Sequence, residues 1–175
     1  KANRMKTSLI VGMGIGELYA TVLDKLGHGI ITVDANPDKK ADFLTVEDAI
    51  KECRMFDTAH ICTPNYTHKP IAELLAPCTG MVFIEKPGVK NSKEWADLVA
   101  KYPRTRFMMV KNNMWRNNIP ELQELAKKAK SVNIEWTRLN CIPSPGSWFT
   151  TRELAFGGVS RDLMPHLLSL YIALN

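Results

Sequence analysis

Between Ser8 and Asp34 the chain runs apolar strand, glycine-rich turn, apolar helix, second strand and terminal acid, an order that few folds accommodate. Ser8 to Val11 is a short apolar run of the kind buried within a sheet. Gly12-Met-Gly14-Ile-Gly16-Glu17 follows, and Ile15, Leu18, Tyr19, Val22, Leu23 and Leu26 then recur on one helical face. Gly27 and Gly29 punctuate the chain, and Gly29 to Val33 reads as a second strand stopping at Asp34. Glycines between a strand and a helix let the backbone approach a pyrophosphate, while the helix start offers amides to anionic oxygens. An acid twenty-two positions beyond Gly12 can accept hydrogen bonds from a ribose and repels a 2′-phosphate. The unit therefore points to a dinucleotide, with Gly12, Gly14, Gly16 and Asp34 as binding residues. Asp34 favours NAD, and Lys39 and Lys40 keep NADP open. The usual third glycine of the spacing would fall at Glu17, so Gly16 stands one place early.

The alternation continues. Thr45-Val-Glu-Asp48 resembles a capping box before a helix to about Cys53. Asp57 to Cys62 is a third strand, Tyr66 to Leu75 a helix, and Met81 to Ile84 a fourth strand. Asn91, with Glu94 three residues on, caps a helix to about Ala100, and Arg106 to Val110 is a fifth strand. Strands alternating with helices predict right-handed βαβ units: an α/β, Rossmann-like doubly wound parallel sheet over residues 1–112. Residues 113–175 read as the start of a smaller, truncated α+β substrate domain. It holds a helix from Ile119 to Lys128, a half-buried strand from Ser131 to Leu139, a Pro143/Pro145 loop and a final helix opened by Gly157-Gly158. Ser160 is the expected N-cap of that helix, which places Pro165 near its start.

Composition excludes several classes. With 45% hydrophobic residues in 175 the chain can build a core, and no apolar run approaches the ~20 residues of a membrane span. Lys1 to Ala20 imitates a secretory signal, but alternating glycines and Glu17 interrupt its apolar run. Cys53, Cys62, Cys78 and Cys141 show neither a CxxC pair nor metal-type spacing, which fits free thiols in a cytoplasmic protein and no metal site. The net charge of +5 is mild, and its densest patch, Lys127, Lys128 and Lys130, sits late in a helix where cations suit the dipole. No nucleic-acid or membrane partner is expected from it.

Three further constellations follow strands or open the last helix. Thr63-Pro64-Asn65 with His68 comes after the third strand, where a doubly wound sheet places its ligand crevice. Glu85-Lys86-Pro87 comes after the fourth, and a lysine there can stabilise developing negative charge on a substrate oxygen. Asp162 and His166 are four apart and share one helix face, so one can orient the other.

Together these residues resemble the Gfo/Idh/MocA family of NAD(P)-dependent oxidoreductases, over nearly the whole chain and in the family's order. The resemblance implies a hydride transfer between nicotinamide and a hydroxyl-bearing carbon of a sugar, polyol or sugar derivative. It places Gly12, Gly14, Gly16, Asp34, Thr63, Pro64, Asn65, His68, Glu85 and Lys86 at the cofactor. It assigns acid/base work to Lys86, Asp162 and His166, and the substrate side to Trp148 and Arg152. Departures are Glu17 at the third glycine, Met164 between the catalytic pair, and an end at Asn175 before most of the family's antiparallel sheet. The apolar face of Leu163, Leu167, Leu170, Tyr171 and Leu174 then asks for cover, which suggests a homo-oligomer. The alternative is a catalytically reduced module that binds a dinucleotide without turning over.

Overall fold

The computed structural model describes residues 4–136 and 147–174 and divides into two compact units, Lys1–Met109 and Val110–Asn175. The first is a sheet of five parallel strands, β1 Thr7–Val11, β2 Gly29–Val33, β3 Thr58–Ile61, β4 Met81–Ile84 and β5 Arg106–Met109, in the order β2-β1-β3-β4-β5. Four helices accompany it: α1 Gly16–Lys25, α2 Val46–Cys53, α3 His68–Leu75 and α4 Ser92–Lys101. Beyond β2 a single parallel bridge joins Val33 to Phe43, with the Asp34 amide donating to the Phe43 carbonyl at 3.1 Å. Phe43 thus occupies the place of an edge strand reduced to one bridge. Counting it gives the dinucleotide-binding order 3-2-1-4-5-6, whose direction reverses between β1 and β3.

Alternation along the strands sorts the two faces. Leu9 and Val11, Ala59 and Ile61, and Val82 and Ile84 join Val46, Ala49, Ala72, Leu75 and Leu98 of α2, α3 and α4 in one buried cluster. The other face carries Ile10, against which Gly16 of α1 packs. It also holds an aromatic stack: His60 lies on Phe83 with ring centroids 4.8 Å apart, and Tyr19 tilts against His60 at 5.7 Å. Burial drives the His60 imidazole down to about 4, so it is neutral there, and its Nε2 meets Thr58 Oγ1 at 3.1 Å. The expected caps form: the Asp48 amide donates to Thr45 Oγ1 at 3.1 Å, and the Glu94 amide to Asn91 Oδ1 at 2.9 Å. Cys53, Cys62 and Cys78 are free thiols, and Cys141 lies outside the described residues.

Helix α1 is turned differently from its sequence pattern. Tyr19 and Leu23 are half-buried, but Ile15, Leu18, Val22 and Leu26 are 44–68% exposed. The helix meets the sheet through a narrower strip than its six apolar positions suggest.

The second unit contains α5 Ile119–Lys128 and α6 Val159–Leu174, joined where Gln123 Nε2 donates to the Ala173 carbonyl at 2.6 Å. Three expectations change here. Residues 131–136 form no strand: a strand needs a neighbour to satisfy its amides, and none pairs with them among the described residues. The rest of that segment, with Pro143 and Pro145, lies outside the described residues. The helical spacing of Leu122, Leu125 and Ala129 predicts one apolar side for α5, yet Leu125 is 58% exposed. Helix α6 starts at Val159, so Ser160 lies inside it and Pro165 is an interior proline that cannot donate back to the Arg161 carbonyl. Among the described residues no helix is long and apolar enough to cross a membrane.

Candidate dinucleotide site at the carboxyl edge of the sheet

Strands β1 and β3 are neighbours, and the loops leaving them meet at the reversal of strand order. The three glycines of the first loop answer to three different constraints. Gly12 has φ +93°, and a Cβ on it would lie 2.7 Å from the Cys62 carbonyl oxygen. Only glycine permits the turn to press on the loop after β3. Gly16 is buried with a Cβ position 2.9 Å from Ile10 Cγ2 and 3.7 Å from Cys62 Cβ. It provides the close helix–sheet contact ordinarily given by the third glycine, so the displaced spacing keeps its packing function. Gly16 is therefore held by the protein's own core. Gly14 differs: its Cβ would meet no protein atom within 4 Å. Neither packing nor a left-handed φ requires glycine there, whereas a group approaching the backbone from outside would.

Asp34 closes the turn from the side of β2. Its Oδ2 accepts the Met13 amide at 2.6 Å and its Oδ1 the Asn36 amide at 2.8 Å, fixing the carboxylate beside the glycine loop. Beyond it, Pro37–Lys39 forms one helical turn capped by Asn36, whose side chain accepts the Asp38 amide at 3.0 Å.

The loop after β3 is braced internally. Thr67 Oγ1 lies 2.6 Å from Thr63 Oγ1 and 2.7 Å from the Pro64 carbonyl oxygen. Half-buried Thr63, Pro64 and Asn65 lead into α3. His68 is fully buried, with Nδ1 2.8 Å from the Gly88 carbonyl oxygen and Nε2 2.8 Å from that of Thr63. Both ring nitrogens are spent on backbone, so His68 ties the loop after β3 to the loop after β4. Burial lowers its basicity, and the two carbonyls oppose that shift.

The loop after β4 carries Glu85 and half-buried Lys86, the latter joined to Pro87 by a cis peptide bond. The Tyr19 hydroxyl donates to Glu85 Oε1, while Glu85 Oε2 accepts the Lys86 amide at 3.3 Å. Burial, then this carboxylate, raises the Tyr19 phenol well above its ordinary range. Burial also pushes the Cys62 thiol up to about 12, leaving no thiolate for nucleophilic work. The first unit thus brings Gly12, Gly14, Asp34, Thr63, Pro64, Asn65, Glu85 and Lys86 to the carboxyl ends of β1 to β4. Tyr19 belongs to none of the sequence motifs. It shares the inward side of α1, and its partner lies sixty-six residues away.

In the second unit, Asp162 and His166 are half-buried on successive turns of α6. The His166 ring stacks on Trp136, with centroids 5.1 Å apart and planes at 23°. The alternation that predicts a strand at Trp136 carries no sign of this contact. Trp148 packs edge-on against Phe149 at 5.4 Å, and Arg152 is exposed. The Arg152 carbonyl accepts the Gly157 amide at 2.9 Å, closing the turn before α6.

The fold is a Rossmann-type doubly wound sheet, with these residues gathered at its carboxyl edge. No protein-family model matches the chain. A protein of Amycolatopsis mediterranei (strain S699), named as a UDP-kanosamine synthase oxidoreductase subunit, is 32% identical over 179 residues, covering 91% of this chain. The chain spans about half of that relative, 49% of its length. GenD2 from gentamicin A biosynthesis, solved in complex with NAD, superposes with a TM-score of 0.77 at 21% identity over 99% of this chain and 54% of its own. The WlbA dehydrogenase of Thermus thermophilus, in complex with NAD and UDP-GlcNAcA, gives 0.75 at 18% identity over 97% and 63%. Myo-inositol 2-dehydrogenase from Lactobacillus plantarum gives 0.60 at 17% identity over 71% and 42%. This chain has the fold of the Gfo/Idh/MocA-type NAD-binding oxidoreductases.

Proposed function

We propose that the chain supplies the nucleotide-binding part of a cytoplasmic NAD-dependent oxidoreductase acting on a hydroxyl-bearing carbon of a sugar, polyol or sugar derivative. The observation that carries the reading is Gly14, a glycine that nothing in the protein itself requires, beside an acid already fixed to the same turn. Gly12, Gly14 and Met13 would present backbone to the pyrophosphate, and Asp34 would accept from the adenosine ribose. Thr63, Pro64, Asn65, Glu85 and Lys86 would line the crevice, with His68 acting through the two loops it joins. Bound there, NAD would supply a nicotinamide ring able to take up hydride.

For the protein's own chemistry, His166 would accept the hydroxyl proton and Asp162, one helical turn earlier, would orient the imidazole or hold a second hydroxyl. Lys86 would stabilise the oxygen's developing negative charge. Trp148 and Arg152 would meet the substrate. The relatives bear on substrate class: two carry a UDP-sugar in their name or crystal, and a third is an inositol dehydrogenase. The exposed Met164, Leu168, Tyr171 and Ile172 on α6 support self-association.

The test is NADH formation with UDP-GlcNAcA and myo-inositol as trial substrates. Lys86→Ala and His166→Ala are each expected to lower turnover by about a hundredfold or more while NADH still binds. Rates equal to the unaltered chain from both variants would remove these residues from the reaction. NADH binding with no turnover on a broad sugar panel would favour a binding module instead.

A further inference from the structure

Lys39 Nζ lies 2.9 Å from Glu17 Oε1, an ion pair that joins the first turn of α1 to the turn following β2. Asp34, its carboxylate fixed to the Met13 and Asn36 amides, is close enough to Lys39 to strengthen that lysine's hold on its proton. That is where a dinucleotide's adenosine ribose would lie, and a 2′-phosphate would need a cation there. Lys39 is the nearest basic candidate in sequence, and in the structure it is occupied. We propose that Glu17 is a specificity-determining residue: by holding Lys39 it denies a 2′-phosphate the cation it would need and turns the site against that group. The inference rests on the dinucleotide reading above and adds a residue to it.

Charge decides the direction. Asp34, Glu17 and Lys39 together carry one net negative charge, and Asp38 and Lys40 on the same turn cancel formally. A 2′-phosphate brings up to two more negative charges into this cluster. The Glu17 hydrogen bond is also the main reason that Lys39 holds its proton more firmly than a lone lysine, with Asp34 a lesser contributor. The pair is exposed, 38% at Lys39 and 61% at Glu17, so its effect is modest and sensitive to salt. The departure at the third glycine position therefore serves a purpose. With Gly16 taking the packing role, position 17 is free to carry a charge toward the ribose edge.

The test uses fluorescence or calorimetric titration of the intact chain with NADH and NADPH, in a double-mutant cycle at ~50 mM salt. Glu17→Gln should tighten NADPH by about fivefold and move NADH by less than about twofold. Lys39→Ala alone should leave NADPH affinity within about twofold, because Lys39 is already engaged. Adding Lys39→Ala to Glu17→Gln should cancel the gain. An unchanged NADPH-to-NADH ratio in Glu17→Gln, with NADH still bound, would overturn the inference and leave the dinucleotide reading intact. So would a gain that survives loss of Lys39. Failure of the unaltered chain to bind either nucleotide would overturn the dinucleotide reading and this inference with it. Thermal unfolding of each variant separates a fold defect from a change of preference.

Discussion

Valine at position 14 is expected to abolish NADH binding while the chain folds as before. A Cβ at Gly14 meets no protein atom within 4 Å, and the residue's φ lies outside the left-handed region. The protein therefore has room for a side chain there, and the unfolding midpoint should stay within a few degrees of the parent's. A ligand whose pyrophosphate lies against this turn has no such room. The branched side chain would hold it off the amides at the start of α1, where distance rapidly erodes charge–dipole attraction. Losing close approach at one glycine should cost about 3 kcal/mol or more, at least a hundredfold in affinity. Titration with NADH beside a thermal melt reads both quantities on one preparation. Undiminished binding in Gly14→Val would mean that no dinucleotide crosses this turn.

Gly12→Ala should behave in the opposite way, acting first on the fold. The residue has φ +93°, and its Cβ would sit 2.7 Å from the Cys62 carbonyl oxygen and 2.9 Å from Thr63 Cγ2. Left-handed backbone costs a non-glycine residue about 1–2 kcal/mol, and forcing a carbon into a filled space costs about 1–3 kcal/mol more. The carbonyl cannot yield easily, because the amides around it are in use: Gly12 donates to the Val33 carbonyl and Cys62 to the Val11 carbonyl, each at 2.8 Å. A loss of about 3 kcal/mol is a large share of a small domain's ~5–15 kcal/mol. It should appear as a clear fall in urea midpoint with unchanged slope. Parental stability in Gly12→Ala would contradict the close packing of the loops after β1 and β3.

The contrast between these glycines shows how far the sequence could be read. Local signals served well where local physics decides the outcome: all five strands, the Thr45 and Asn91 caps and the acid at the end of β2 follow from periodicity and capping chemistry. The same spacing could not say which glycine serves the core and which serves a ligand, because that depends on Ile10 and Cys62, brought near only by the sheet. His68 looked like a crevice residue by position, yet tertiary contacts bury it between two carbonyls. Tyr19 with Glu85, and Glu17 with Lys39, are pairings across sixty-six and twenty-two residues that no motif encodes. The alternation from Val132 to Trp136 misled because strand character depends on a partner strand as much as on side-chain pattern.

The central claim is that the carboxyl edge of this sheet binds NAD through the Gly12–Gly14 turn and Asp34. Paired calorimetric titrations of the unaltered chain with NADH and NADPH test it most directly. Saturable one-to-one NADH binding is expected, with a dissociation constant on the order of micromolar and NADPH weaker by about tenfold or more. Absence of heat and of thermal stabilisation with both nucleotides, in a chain shown to be folded, would contradict it.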